Sequence, residues 1–153
     1  MNNDILRIIR YTFEFNDSKM IELFRSGGLV VTRTEVCAWL KKDDDPDFKG
    51  IYDVQLASFL NGFINEKRGK KEGEQPAAEK KLNNNIVFRK LKIALNLKDE
   101  DILEILGLVN FRFSRHELSA FFRNPKQDQY QPCKDQVLRN FLHGMQLKYH
   151  PKS

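Results

Sequence analysis

Apolar residues recur at helical spacing late in the first half of the chain. Leu56, Phe59, Leu60, Phe63 and Ile64 fall at i, i+3, i+4, i+7 and i+8, a spacing that places all five on one face of a helix. No stretch alternates apolar and polar residues for long enough to predict a strand. The sequence therefore predicts an all-α protein whose helices each turn an apolar face to a core.

The pattern also occurs twice. A shift of 82 positions aligns the segment from Asn2 to Arg68 with the second half of the chain without a gap, and 13 of the 67 aligned pairs are identical. The identical pairs are Asn2/Asn84, Asn3/Asn85, Arg7/Arg89, Asp17/Asp99, Glu22/Glu104, Arg33/Arg115, Glu35/Glu117, Ala38/Ala120, Asp53/Asp135, Leu56/Leu138, Phe59/Phe141, Leu60/Leu142 and Gly62/Gly144. Self-similarity at a fixed offset indicates a duplicated structural unit.

Polar residues that bind free helix N–H groups mark where each predicted helix begins. In the first unit we assign this role to Asn3, Asp17, Glu35 and Asp53. The run that begins at Thr32 and ends at Glu35 has the pattern of a capping box, and the second unit repeats it at Ser114. Each unit is therefore predicted to contain four helices.

A polar segment with glycine and proline separates the two units and predicts an exposed linker. The chain then divides into a first module (residues 1–68), the linker (69–83) and a second module (84–153). A lone module of this size would bury only about 60% of its unfolded surface. We therefore expect the modules to pack as one body with pseudo-twofold symmetry. Glycine inside a helix costs about 1 kcal/mol, so a close backbone neighbour between modules is expected at Gly62 and Gly144.

Several short motifs, together with the duplication, resemble the bacterial YehS-like proteins. These motifs are Phe59-Leu60-Asn61-Gly62, Glu66-Lys67-Arg68-Gly69-Lys70, Asn83-Asn84-Asn85-Ile86 and Lys90-Leu91-Lys92-Ile93-Ala94-Leu95. The similarity covers nearly the whole chain, and that family is built of two copies of a domain of unknown function. The resemblance implies a small bacterial cytoplasmic protein, and it brings no activity or catalytic residue with it.

The composition is 41% hydrophobic and 31% charged, which is typical of a globular protein. The start of the chain lacks the basic and apolar regions of a signal peptide, and no apolar run is long enough to span a bilayer. Cys37 and Cys133 lack metal-type spacing. We therefore expect a cytoplasmic protein with reduced thiols and no membrane partner.

The net charge of +5 is uneven. Residues 1–68 carry 10 basic and 11 acidic groups, whereas residues 84–153 carry 12 and 7. A basic cluster, Lys67, Arg68, Lys70 and Lys71, lies at the end of the first module. One interpretation is that these cations favour the C-terminal end of a helix dipole. The other is that they form a surface for an anionic partner.

The repeated charged residues also have two interpretations. Arg7 and Arg89 could pair with Glu22 and Glu104 within their modules, while Arg33 covers an acidic cap. Such pairs are usually architectural. Alternatively, the repeated arginines, which are Arg7, Arg33, Arg89 and Arg115, could provide a duplicated anion-binding point, one in each module.

Patterns that would indicate a metal, a cofactor or catalysis are missing from the sequence. The acidic loop from Asp43 to Asp47 has Phe48 and Val54 where a calcium loop needs glycine and glutamate. The histidines His116, His143 and His150 lack a third ligand at useful spacing. There is no glycine-rich phosphate loop and no nucleophile elbow. We therefore predict no cofactor and no metal.

These observations favour a non-enzymatic interaction or regulatory protein whose partner is another protein, bound at the groove between the modules. The alternative is a nucleic-acid-binding protein that uses the basic second module and the linker. An enzyme ranks third. Protein binding predicts an exposed apolar patch, nucleic-acid binding a continuous positive stripe, and catalysis a deep pocket with perturbed titratable groups.

Overall fold

A computed structural model describes residues 1–152. Across these residues it contains eight α-helices and no strand, which confirms the predicted all-α fold with four helices in each repeat. The helices are α1 (Asn2–Thr12), α2 (Asp17–Ser26), α3 (Arg33–Leu40), α4 (Asp53–Arg68), α5 (Asn84–Ala94), α6 (Asp99–Gly107), α7 (Arg115–Phe121) and α8 (Asp135–Tyr149). None of the helices described is long and apolar enough to cross a membrane.

The two modules interlock through their first and last helices. Helix α1 of the first module packs on α8 of the second, and α5 of the second packs on α4 of the first. The 82-residue shift exchanges these two contacts, which is what a pseudo-twofold axis requires. Because one set of buried apolar residues runs through both modules, the protein has a single continuous core.

The two halves of the core conserve volume while exchanging which helix carries the large side chain. In the first module Phe24 of α2 packs on Phe59, with ring centroids 5.0 Å apart. In the second module Phe141, the counterpart of Phe59, is packed instead by Phe88 of α5, at 4.6 Å. Leucine occupies the vacated position in each copy. Compensating exchanges of this kind preserve packing density.

One buried asparagine in each module holds the loop after the third helix. This role differs from the predicted role as a helix cap. Asn3 lies inside α1, not at its cap, and its side-chain amide donates to the carbonyls of Trp39 and Lys49, both at 2.9 Å. Its oxygen accepts from the Ile51 amide. Asn85 makes the equivalent three bonds, to Phe121, Gln131 and Cys133. Each asparagine therefore joins a carbonyl near the end of the third helix of its module to backbone groups of the loop that follows, where neither strand nor helix supplies hydrogen bonds.

The predicted caps are partly correct. The capping boxes at Thr32 and Ser114 both form. Helix α2, however, is capped by Asn16, whose side chain accepts from the Lys19 amide, and Asp17 is the first helical residue. A side chain must precede the first helical turn to reach its free N–H groups, so the cap lies one residue earlier than predicted.

The helical glycines do lie at close backbone contacts, but these contacts are inside the modules rather than between them. A Cβ atom on Gly62 would overlap the carbonyl of Leu23 on α2, and one on Gly144 would overlap the carbonyl of Ile105 on α6. Gly27 meets the same α2–α4 crossing from the other side. The glycines therefore set the distance between the second and fourth helices of each module.

Candidate binding surfaces at the module junction and on the second module

The repeated arginine of the first module is neutralised by aspartates. Arg7 pairs with Asp4 one helical turn away and lies 3.9 Å from Asp43, and it donates a hydrogen bond to the carbonyl of Lys41. The predicted pairing with Glu22 is wrong, because Glu22 lies on α2 and pairs with Lys19 at 3.4 Å. Arg7 thus closes the C-terminal end of α3 and has little charge left for a ligand.

Arg89, the counterpart of Arg7, has different neighbours. Ile86 and Pro125 occupy the positions of the two aspartates, and Arg89 makes no ion pair with any described residue. Among the described residues, its guanidinium donates only to the carbonyl of Phe122, at 3.3 Å. The predicted pairing with Glu104 is therefore also wrong. Since a guanidinium carries five N–H donors, Arg89 retains most of its binding capacity.

The second pair of repeated arginines lies on the surface. Arg115 pairs with Glu100 at 3.3 Å, and both side chains are exposed. Arg33 is exposed at the start of α3 and forms no ion pair among residues 1–152, so the predicted contact with an acidic cap is not made. It borders a wide depression of about 990 Å³ that also includes Trp39 and Tyr52.

The basic cluster at the end of α4 separates into three environments. The ammonium group of Lys67 lies over the ring of Phe13, 4.5 Å from its centroid, in a cation–π contact. Lys70 and Lys71 lie on the exposed linker. Arg68 lines a pocket at the module junction. The four cations therefore do not act on one common point.

This pocket, which we call the basic junction pocket, lies where the end of α4 meets α5. It has a volume of about 360 Å³, and its lining residues are Arg68, Arg89, Lys92, Ile93, Asn96, Leu97 and Phe122. Lys92 pairs with Asp99 at 3.3 Å and lies over the ring of Phe122. Arg68 forms no ion pair within the described chain. The pocket thus combines three cations, two of them without a carboxylate, with apolar walls.

The pseudo-twofold axis generates a counterpart junction pocket with different chemistry. This pocket, of about 440 Å³, lies where the end of α8 meets α1, and it is lined by Arg10, Tyr11, Glu14, Phe15, Asn16, His150 and Lys152. His150 replaces Arg68 and stacks on Tyr11, with ring centroids 4.2 Å apart and nearly parallel planes. Glu14 replaces Asn96. The counterpart therefore has an aromatic stack where the basic junction pocket has a guanidinium.

The modules also differ on the surface formed by their second and fourth helices. In the first module the amide of Asn65 donates to the hydroxyl of Ser26, at 3.0 Å. Gln75 and Pro76 of the linker face this pair. We call the surface around Ser26 and Asn65 the covered groove. In the second module the equivalent residues are Leu108 and Leu147, with 48% and 47% of their surfaces exposed. We call this surface the open groove.

Specific bonds hold the end of the linker at the junction of the two modules. Asp53 accepts hydrogen bonds from Asn2 at 2.7 Å and from the Leu82 amide at 2.8 Å. The bond from the Leu82 amide, and after it the bond from Asn2, lowers the pKa of the Asp53 carboxyl. Lys90 pairs with Glu79 of the linker at 3.0 Å and donates to the side chain of Asn61. The end of the linker is therefore anchored to α4 and α5.

The titratable groups of the described chain do not assemble into a metal or thiol site. No group of three potential metal ligands from His, Cys, Asp and Glu occurs within residues 1–152. Burial raises the pKa of the Cys133 thiol to about 12, so this thiol stays protonated at neutral pH and is a poor nucleophile. Both cysteines are unpaired.

Several residues of these surfaces were not selected from the sequence, among them Asn96 of the basic junction pocket and Leu108 and Leu147 of the open groove. Positions that are identical in the two copies lie mainly in the core, at helix ends and in the loop-fastening bonds. Differences between the two copies are more informative about the binding surfaces than identities. Positions where a polar residue of one copy aligns with an apolar residue of the other, such as Ser26 with Leu108, mark where the modules diverge.

The comparisons with other proteins agree with the duplicated architecture. The sequence pattern of the family described as "Protein of unknown function (DUF1456)" matches residues 2–69 and again residues 84–150. The chain is also 42% identical to a protein of Escherichia coli (strain K12) described as "Uncharacterized protein YehS", over 99% of this chain and 98% of that protein. No solved structure matches the chain. Two matches that together span all eight described helices show that the chain belongs to the DUF1456 family.

Proposed function

We propose that this protein is a non-enzymatic interaction protein that binds an extended segment of a partner protein in the open groove. The observation that carries the proposal is the change from Ser26 and Asn65 in the covered groove to Leu108 and Leu147 in the open groove. A polar pair lies under the linker, whereas a half-exposed apolar pair lies in the open.

The linker supplies the template for the bound segment. It runs without helix or strand, and its Gln75 and Pro76 face the covered groove. The pseudo-twofold axis gives the open groove the same framework of two crossed helices. A partner segment that likewise lacks helix and strand would fit there, and its apolar side chains would contact the two leucines.

The expected contribution of these contacts is modest but specific. Full burial of a leucine side chain stabilises by about 1.5–3 kcal/mol, so covering the exposed half of Leu108 and Leu147 contributes roughly 1 kcal/mol each. Two such contacts change affinity by a factor of about 10 or more. The remaining affinity would come from polar contacts of the segment's backbone.

The test is a selection of unstructured peptides from a displayed random library against the full-length protein. The selected peptides are then titrated against the double variant Leu108→Ser/Leu147→Asn, which copies the first module's residues. A matched control, Val30→Ser/Tyr52→Ser, removes two apolar side chains that are 76% and 73% exposed elsewhere. We expect selected peptides rich in apolar residues, at least about tenfold weaker binding to the groove variant, and unchanged binding to the control. Failure to enrich any peptide, or equal loss in both variants, contradicts the proposal.

The nucleic-acid alternative is tested with the same protein. Duplex DNA, single-stranded DNA and structured RNA are titrated at low and physiological salt, and again with Lys67, Arg68, Lys70 and Lys71 changed to serine. We expect weak binding that disappears at physiological salt, because phosphate contacts are salt-dependent and the four cations lie in separate environments. Submicromolar binding that survives physiological salt and is lost in the variant would favour the nucleic-acid function instead.

A further inference from the structure

We propose that the basic junction pocket binds a phosphate monoester of a small molecule with an apolar or ring-shaped body. This site is separate from the open groove and does not depend on the proposed function. It is formed by both modules, since Arg68 comes from α4 and Arg89 and Lys92 come from α5.

The first argument is the loss of carboxylate partners around the pocket. Arg7 of the first module is paired with Asp4 and Asp43, whereas Arg89 forms no ion pair within residues 1–152. Arg68 also lacks one in the described chain. Only Lys92 is paired, with Asp99. Three cations and one carboxylate leave two positive charges, which matches the charge of a phosphate monoester near neutral pH.

The second argument is the donor chemistry. A guanidinium presents several N–H donors in a planar fork and binds phosphate oxygens in pairs, while an ammonium group acts as a point charge. Within residues 1–152, Arg89 donates one hydrogen bond, to the Phe122 carbonyl, so its other N–H groups are available to a ligand. Two guanidiniums and one ammonium group therefore offer enough donors for the three terminal oxygens of a monoester.

The third argument is the apolar part of the lining. Ile93 is 45% exposed, and Leu97 and Phe122 complete the wall. A volume of about 360 Å³ exceeds the needs of a bare phosphate ion and falls in the range of small-molecule sites. This apolar wall would contact an organic group attached to the phosphate.

The counterpart junction pocket supplies the control within the same chain. Its stacked His150 and Tyr11 occupy the position where Arg68 enters the basic pocket, and its Glu14 adds a carboxylate. Glu14 and Asn96 share the same left-handed backbone, each with φ of 54°. Asn96→Glu therefore places a residue that this backbone conformation already carries in the other module.

The experiment titrates the full-length protein with phenyl phosphate and, separately, with inorganic phosphate, and follows backbone amide chemical shifts. We expect saturable shifts at Asn96 and Leu97, and tighter binding of phenyl phosphate than of inorganic phosphate. Arg68→Ser removes a cation from the pocket and Asn96→Glu adds a carboxylate that repels the phosphate, so each should weaken phenyl phosphate binding about tenfold or more. Lys70→Ser/Lys71→Ser in the linker and Glu14→Asn in the counterpart pocket should leave the affinity unchanged.

Three results would overturn the assignment. These are shifts spread over the surface without saturation, affinity that is insensitive to Arg68→Ser and Asn96→Glu, and equal affinity for the two phosphates. Melting temperatures of all variants identify any that fail to fold. Arg68 and Asn96 are exposed, so we expect both variants to melt within a few degrees of the native protein. Nucleic-acid binding that competes with phenyl phosphate would assign the pocket to a polymer instead.

Discussion

Arg7 and Arg89 occupy equivalent places on α1 and α5, yet their surroundings differ. Two aspartates pair with Arg7, whereas Arg89 pairs with no carboxylate in the part of the chain that the structure describes. The same contrast recurs between the covered and open grooves, and between the two junction pockets. By contrast, the bonds that fasten the loops are duplicated almost atom for atom. After a duplication, each fold-determining bond is needed in both copies, while one copy's surface is free to change.

The largest effect is expected where the modules agree. Asn3→Ala and Asn85→Ala should each destabilise the protein by roughly 3 kcal/mol or more, because each leaves two carbonyls and one amide without partners, at about 1–3 kcal/mol for each buried group. The two losses should be equal within about 1 kcal/mol. Urea unfolding followed by circular dichroism measures both. If either substitution left the free energy of unfolding unchanged, the asparagine would not be what holds the loop of that module.

The next largest effect is expected at the helical glycines, and its size should differ between the two modules. Gly62→Ala should destabilise by about 2–3 kcal/mol and Gly144→Ala by about 1–2 kcal/mol. The new methyl group on Gly62 meets the backbone of Leu23, whereas part of the overlap at Gly144 is with the side chain of Ile105, which can move. Thermal unfolding measures the difference.

Gly107 is the control for the glycine comparison. It lies in α6 with nothing within 4 Å of an added Cβ atom, so Gly107→Ala should stabilise by up to about 1 kcal/mol through helix propensity alone. If Gly62→Ala also raised the melting temperature, the close contact between α2 and α4 would not limit the packing.

A smaller effect tests the anchored linker. Asp53→Asn should destabilise by about 1 kcal/mol more than Asp135→Asn, because only Asp53 also accepts the Leu82 amide. The pKa of the Asp53 carboxyl is lowered from its ordinary value of 3.8. Its contribution is therefore fully present above that value and is lost as the pH falls through the lower folded pKa.

Urea midpoints measured from pH 7 down to pH 2 test this dependence. The difference in the free energy of unfolding between the native protein and Asp53→Asn should stay constant down to about pH 5 and then narrow below about pH 4. A difference that persists unchanged at pH 2 would mean that ionisation of Asp53 does not stabilise the attachment of the linker.

The smallest effect is expected at the exposed arginines. Arg33→Ala and Arg115→Ala should each change the free energy of unfolding by less than about 0.5 kcal/mol, even though Arg115 pairs with Glu100. Exposed ion pairs gain little, because water solvates both charges well. A loss above about 1 kcal/mol at either position would point to a structural contact that the exposed geometry does not account for.

Patterns along the chain were sufficient to predict the helices, the duplication and the pseudo-twofold packing. The capping boxes at Thr32 and Ser114 depend on residues three apart, and such local bonds are readable from sequence. The partners of the repeated arginines were not. Glu22 had the right charge and repeat, but Asp4 is one helical turn from Arg7, and Asp43 is brought near it by the loop after α3.

What the sequence determined by itself is therefore the framework, because helix periodicity, caps and a fixed repeat offset are all local or self-referential signals. Only the tertiary structure decided which faces stay open. The linker covers a surface of the first module, and Asp53 and Lys90 bind its end. The packing of α4 on α5 also brings Arg68 of the first module into the same pocket as Arg89 of the second. Both outcomes depend on contacts between residues far apart in the chain, and a single sequence does not encode such contacts in any local pattern.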